Sequence, residues 1–299
     1  MGAGPTPAAG ATQAPPAARR AAPPPRPDAN DLPQARTREF LRARIYLRAA
    51  LPCVKVMLED DPATAKRFKH VNAVVQFVAR NQPRAVGAYL WFENGDVRVE
   101  QGFWDADGLG KEPDITFTFS SLGKLCDFFA GRTVLPSIRG YDHPALLAKV
   151  VQLLLSLKLM LPSAQPADPV KRALKVKLTL YMITTALSQY NKGGDPAMQR
   201  WTAKQPDRIY QFSVEPEGIA AYLRVRGGQT KAGRGVYERR RPFVHMRFLG
   251  VDGALAVMNK DVEFVEGVQK GMVRIDGAPE YAANLSDYMM RVQALLTDG

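Results

Sequence analysis

Two stretches of this chain carry one pattern, and that repetition limits its possible folds more than any other feature. In the N-terminal half the alternating segment DITFTF is followed by a short helical segment and then by an apolar stretch that opens on Pro144. In the C-terminal half the same order returns as FVHMRF, a short helical segment and a helix opening on Pro279. Ala88-Tyr89-Leu90 returns as Ala221-Tyr222-Leu223, and Phe119 as Phe248. A period of roughly 130 residues is far beyond the ~20–50 of a solenoid unit, so it implies two tandem domains.

The stretch Pro144–Pro162, PALLAKVVQLLLSLKLMLP, is the most apolar in the chain. At about 100° per residue, Lys149, Gln152 and Ser156 share one narrow polar stripe, and nearly everything else is Leu, Val, Ala or Met. A surface helix carries an apolar stripe of only ~100°, so this helix is expected to be covered over most of its circumference. It reads as a membrane span, a core helix or the wall of an apolar cavity. The span is disfavoured. The segment is shorter than the ~20 residues a bilayer crossing needs. Lys149 and Lys158 would each cost about 2.5–3.5 kcal/mol at mid-membrane. Spacing places Leu147, Val151, Leu154 and Leu155 on the covered side. The polar stripe returns near the C-terminus as Asn284, Asp287 and Arg291.

Residues 1–36 are rich in Pro and Ala with almost nothing large and apolar, a composition expected to stay disordered. The segment has no apolar h-region of a secretory signal, and MGAGPT matches the myristoylation pattern only formally. From Thr37 the pattern turns helical, with Pro52 expected to kink or end its first half and Asp61-Pro62 to open a second helix. The period then falls to two. AVVQFVAR reads as a strand, and AVGAYLWFEN with DVRVEQGFW as a hairpin across Asn94-Gly95. DITFTF is a strand, SSLGKLCDFFAGR a helix opened by Ser120 or Ser121 and closed by Gly131. TVLPSIRG is a Pro-interrupted edge strand. After a polar link from Ser163 the order begins again, with helices at Asp168–Tyr190 and in PAMQRWTAKQ. A hairpin follows across Glu217-Gly218, then a basic, Gly-interrupted region from Gln229 to Arg241. FVHMRF is a strand, VDGALAVMNK a helix, VEFVEGVQKGMVRIDG extended, and PEYAANLSDYMMRVQALL a final helix. The expected division is a tail over 1–36, a first domain over 37–165 and a second over 166–299.

At 46% hydrophobic and 23% charged residues the chain has the make-up of a protein with a real core. Its formal charge of +12 and pI near 9.8 favour an acidic partner, nucleic acid or an anionic lipid surface. Arg224, Arg226, Lys231, Arg234, Arg239, Arg240 and Arg241 cluster in sequence. On one face they would make a patch for lipid headgroups, each charge contributing about 1 kcal/mol. Arg224, Arg226, Arg239, Arg240 and Arg241 are the candidate membrane contacts. Nucleic acid is disfavoured, since a single-strand binder interleaves aromatic stacking platforms with its cations and only Tyr222 and Tyr237 are at hand. His70, His143 and His245 are scattered without a second ligand at helical spacing, so no metal is expected. His245, in an alternating strand, reads as a satisfied histidine, with a cavity-facing one as the alternative. No GxSxG, P-loop or dinucleotide fingerprint appears, so neither enzymatic chemistry nor a cofactor is expected. Cys53 and Cys126 match no metal or redox spacing. Cys126 reads as a small core residue, and a reducing, cytoplasmic compartment is the expected location.

Three segments resemble the sterol carrier protein 2 family: PDITFTFSSLGKLCDFFAGR in the first copy, and VHMRFLGVDGALAVMNK and GMVRIDGAPEYAANLSDYMMRVQAL in the second. The resemblance runs from about Thr37 to the C-terminus. The first copy departs from it at Pro136 and the GYDHP turn. The resemblance implies an α/β (α+β) fold of tandem domains, each a mainly antiparallel five-stranded sheet covered by helices. It further implies an apolar tunnel for a sterol-like lipid, a fatty acid or acyl-CoA, with no catalytic residue. In the first copy Phe117 and Phe119 would face Leu147, Val151, Leu154 and Leu155 across that tunnel. In the second, Met246 and Phe248 would face Tyr281, Leu285, Tyr288, Met289, Val292 and Leu296. The second is expected to be the better tunnel. The same residues filling a solid core is the alternative, and with it a scaffold role, binding a protein partner or oligomerising, for example in isoprenoid or quinone lipid metabolism.

Overall fold

The computed structural model describes residues 1–2, 38–80, 85–104 and 112–297, so the Pro/Ala-rich tail expected over 1–36 lies outside the described residues save its first two. Helix α1 (Arg38–Ile45) runs into a π-helical turn, Tyr46–Ala50, that the sequence pattern did not foreshadow. Pro52 ends that run, and α2 (Cys53–Asp60) begins directly after it. Asp61 then caps α3 (Pro62–Phe68), its carboxylate accepting from the Thr64 amide at 3.1 Å with Pro62 in the first turn. Strand β1 (Ala73–Ala79) is followed by β2 (Val86–Glu93) and β3 (Asp96–Gln101). They turn across Asn94 and Gly95, both at positive φ, as a primed two-residue hairpin requires. Strand β4 (Ile115–Phe119) leads into α4 (Leu122–Phe129), capped by Ser121, whose hydroxyl accepts from the Lys124 amide. The short edge strand β5 (Ser137–Arg139) follows Pro136, and α5 (Pro144–Ser156) ends in a 3-10 turn, Leu157–Met160.

The second half opens with the 24-residue α6 (Pro169–Lys192) and α7 (Pro196–Ala203), capped by Asp168 and Asp195. Strands β6 (Arg208–Glu215), β7 (Ile219–Arg226) and β8 (Gln229–Arg234) follow. Part of the basic, Gly-interrupted region is therefore a strand, a departure from the sequence reading. Gly227 and Gly228, both at positive φ, supply a second primed turn that pairs β8 with β7. Strand β9 (Val244–Leu249), α8 (Gly250–Met258), α9 (Phe264–Gln269), β10 (Val273–Gly277) and α10 (Pro279–Thr297) complete the chain. Helix α9 corrects the expectation that VEFVEGVQKGMVRIDG is extended throughout. Its carbonyl of Glu263 accepts from the Gly267 amide, and burial of Gly267 lets the turn pack closely against β10.

The fold is mixed α/β with two five-stranded sheets, mostly antiparallel, packed with helices. One sheet has the order β3-β2-β1-β4-β5, the other β8-β7-β6-β9-β10, and in each the central pair (β1 with β4, β6 with β9) is parallel. Their registers coincide as well. Gln76 lies opposite Tyr89 and Gln211 opposite Tyr222, while Phe77 lies opposite Phe117 and Phe212 opposite Met246. Each position in one sheet thus has a counterpart in the other, Phe119 with Phe248 among them.

Both sheets belong to one compact unit. Each buries its helix-side face in its own apolar core, and the N-terminal helices of the two halves pack on each other between them. Ala43, Tyr46 and Leu47 join the first core, whereas Ile45 and Ala49 join the second. Leu174 and Leu178 of α6 reach the first core, and Val176, Leu180 and Leu187 the second. Lys177 pairs with Asp60 at 2.6 Å across this contact.

Candidate functional site

The helix side of each sheet is the first place the sequence points to. Strand alternation sends Phe117 and Phe119 inward in the first half and Met246 and Phe248 inward in the second, and all four are buried. In the first half the space is filled by rings. Phe117 stacks on Phe77 at 5.2 Å, Phe119 meets Phe128 at 5.2 Å, and Phe129 closes on Tyr46 at 5.9 Å. In the second half Met246 takes the place of Phe117. Helix α10 supplies buried Leu285, Tyr288 and Val292, with Tyr281, Met289 and Leu296 half-buried beside them. The six residues named from the sequence on this helix therefore all turn toward the core. Asn284, Asp287 and Arg291 are exposed, as the polar stripe requires.

Helix α5 behaves differently. Its fully buried residues are Val150 and Leu153, continued by Leu157 in the 3-10 turn. Leu147 and Leu154 are half-buried against the first core, but Val151 is 39% and Leu155 51% exposed. The expectation that Val151 and Leu155 belong to the covered side is corrected. So is the expectation that the helix is covered over most of its circumference. An almost wholly apolar helix offers no polar face to set its rotation, and Lys149, whose butyl stem tolerates partial burial, sits closer to the core than its charge suggests. The counterpart helix held the missing signal. Counting from Pro144 and Pro279, Val150, Leu153 and Leu157 fall on the buried Leu285, Tyr288 and Val292.

The outer face of the second sheet is the second place. Arg224 donates from Nε and Nη2 to both oxygens of Asp207 at 2.7 and 2.6 Å, and Arg240 reaches the same carboxylate at 2.5 Å. Two guanidinium groups beside one carboxyl hold Asp207 well below the usual carboxylate range, at about 2. The segment from Gly235 to Phe243 crosses this face. It is pinned by Gln211, which accepts from the Tyr237 amide at 2.9 Å and donates to the Gly235 carbonyl at 3.2 Å. Arg224, Lys231, Arg234 and Arg239 line one cleft of about 260 Å³. Arg208, Arg240 and Arg241 line a second, of about 410 Å³. Arg226 lies exposed at the strand end, outside both clefts. Sequence reasoning named the arginines but missed Asp207 and Gln211, which bind them to one another and to the sheet. A polar residue at the matching position of both copies, Gln76 and Gln211, is the signal that was there to be read.

His245 also belongs to this outer face, not to a cavity. Its Nε2 lies 2.8 Å from the Ser213 hydroxyl, and burial lowers its pKa, helped by Arg247. Arg247 itself bridges Glu215 and Asp276 at 2.9 and 2.7 Å. His143 is exposed at the start of α5 and makes no side-chain cap. Among the described residues no group of three or more His, Cys, Asp or Glu side chains is placed to hold a metal ion. No described helix is long and apolar enough to cross a membrane.

No family model and no curated protein matches the chain. Among solved structures it is similar to the apo form of sterol carrier protein 2 from Yarrowia lipolytica, at 15% identity over 35% of this chain and 92% of that one, with a TM-score of 0.27. It is similar to sterol carrier protein 2 like 2 from Aedes aegypti at 19% identity over 38% and 97%, again with a TM-score of 0.27. A stereoselective inverting sec-alkylsulfatase from a Pseudomonas species matches at 14% identity over 48% of this chain and 28% of that one, with a TM-score of 0.25.

Proposed function

We propose that this chain is a non-enzymatic carrier that holds a lipid, fatty acyl chain or acyl-CoA between its second sheet and α10. The observation that carries the reading is the exchange of Phe117 for Met246 at matching positions of the two cores. A stacked ring fixes the first core. Met246, with half-buried Met289 across from the sheet, gives the second a wall of adaptable side chains. An acyl chain gains about 0.8 kcal/mol per buried CH₂, so such a wall needs no catalytic group to bind tightly. The division into residues 37–165 and 166–299 separates the two sheets while their cores exchange side chains, and the second core is the occupied one. Replacing Leu285 and Met289 by Trp puts larger rings on the α10 side of the second core and is expected to abolish binding of a fluorescent fatty acid while the protein stays folded. Undiminished binding in that double variant would overturn the assignment.

Delivery to an anionic membrane fits the arginines of the outer face. Reversing Arg239, Arg240 and Arg241 to Glu is expected to slow lipid transfer between acidic vesicles and to leave transfer between neutral ones unchanged. An equal effect on both would assign these arginines to the fold instead. A second reading, a scaffold that self-associates, is favoured by one observation, the exposure of Val151 and Leu155 on α5. It requires that Leu155→Glu lower the sedimenting mass of the protein.

A further inference from the structure

The two halves use one place on the sheet in opposite ways. On the outer face of the first sheet, Gln76 accepts from the Trp104 amide at 2.5 Å, as Gln211 does from Tyr237 in the second. In the first half the space beside this anchor is closed. Trp104 packs edge-on against Tyr89 and Trp91, both at 5.4 Å, and Arg98 lies 4.3 Å over the Trp91 ring. In the second half the matching positions read differently. Trp91 becomes Arg224, Arg98 becomes Lys231, and Glu100 becomes Gly233. Tyr222 lies across Gly233, where any Cβ would collide with its ring, and Tyr237 folds edge-on against Tyr222 at 5.0 Å. Tyr237 stands where Trp104 does but is the smaller ring, Trp91 has no aromatic counterpart, and the cleft of about 260 Å³ opens beside Tyr237.

We infer that this cleft is a binding site for a phosphate monoester. Arg224, Lys231, Arg234 and Arg239 line it against the single carboxylate of Glu238. Arg224 is held rigid by its two bonds to Asp207, and Arg234 reaches Glu59 at 3.5 Å, its guanidinium 5.2 Å from the Tyr181 ring. Lys231 and Arg239 make no ion pair among the described residues and are exposed. Crowded cations repel one another. An entering dianion relieves that repulsion, and a phosphate monoester carries a charge of about −1.5 to −2 at neutral pH with three acceptor oxygens. The guanidinium fork of Arg239 matches two of those oxygens, while Lys231 adds a point charge and Arg224 and Arg234 add field from their fixed places. The volume, below the ~300 Å³ at which pockets begin to take drug-sized molecules, suits a phosphate carrying a short organic stem. Such a stem occurs in a soluble sugar or glycerol phosphate and in the headgroup of phosphatidic acid alike.

The test uses the full chain with two probes. One is sn-glycerol 3-phosphate followed by calorimetry. The other is phosphatidylcholine vesicles containing either phosphatidic acid or phosphatidylglycerol at matched surface charge. Saturable binding of the soluble ester, weakened about tenfold or more by Lys231→Glu and by Val236→Trp, supports the site and assigns a soluble ligand. Preference for phosphatidic acid over phosphatidylglycerol vesicles, lost in the same variants, supports it and assigns a lipid headgroup. Equal binding to both vesicle types with no soluble binding overturns it, as does binding that survives both substitutions. Val236 is an exposed residue, so Val236→Trp obstructs the cleft without removing a charge or a core contact. Fatty-acid binding is a separate measurement. Lys231 points away from the core that Leu285 and Met289 wall, so either result can stand without the other.

Discussion

Asp207 is one carboxylate shared by two arginines, and the pairing should be visible in acid. Its carboxyl titrates at about 2 in the folded chain, below the ordinary 3.8, chiefly because Arg224 donates to it. A depressed carboxyl pKa stabilises the fold above the ordinary value, and that contribution is lost as pH falls through the folded one. Asp207→Asn is therefore expected to be less resistant to urea than the parent above about pH 4, with the difference shrinking as pH falls toward 2 and gone below it. Constant separation of the two curves across that range would show that the pairing does not hold in solution. Gln211 makes a second local claim. Its amide donates to the Ala221 carbonyl at 2.9 Å besides anchoring the crossing segment, so Gln211→Ala should cost about 1–3 kcal/mol in urea unfolding. Neither residue stood out in the sequence. The arginines appeared as a run without a counter-ion because their acid lies on the far side of a hairpin. Gln211 was one of several polar residues in its strand, with Arg208, Ser213 and Glu215, marked out only by its match to Gln76 in the other copy. Cys126 was legible as a core residue; Cys53, also buried, was not singled out. Burial pushes both thiols up to about 12.

At the level of elements, the strands and caps could be read because each has a local cause. Asn94-Gly95, Asp61-Pro62 and Ser121 act through their own neighbours in sequence. Helix α5 had no such cause to fix its rotation, and the face chosen for it was displaced by about one residue. The corrected face makes a sharp prediction. Leu153→Ala is expected to cost about 2–5 kcal/mol, because a filled site is left partly empty. Leu155→Ala, half in water already, should stay within about 0.5 kcal/mol. Chemical denaturation of the two variants decides it, and equal costs would return Leu155 to the covered side. The strand β8 was hidden for a related reason. Gly233 weakens any alternating pattern, yet glycine is what allows Tyr222 to lie across that edge.

Across the whole molecule the two cores are joined by exchanged side chains. Ile45 and Ala49 come from the first half and are buried in the second core, and Leu174 and Leu178 make the opposite journey. Unfolding should then be a single transition. In a Trp91→Phe, Trp104→Phe variant, the fluorescence of Trp201, reporting on the second core, and alkylation of buried Cys126, reporting on the first, are expected to give the same denaturant midpoint. Separate midpoints would mean that the cores melt independently. The mixed α/β class, with five-stranded, mainly antiparallel sheets covered by helices, was visible in the sequence. The exchange was not, because the apolar residues of α1 and α6 run around most of each helix and do not say which neighbour each one meets.

That exchange also bears on the order in which the chain is made. Helix α6 follows the last turn of the first half (Leu157–Met160) by only a few residues, so Leu174 and Leu178 are made almost together with the core they enter. Ile45 and Ala49, by contrast, wait for a second core that is complete only once α10 is made. During synthesis the exposed apolar side chains are therefore those of the first half that belong to the second core, and they stay uncovered until the last helix of the chain is made, however independent the twin sheets look.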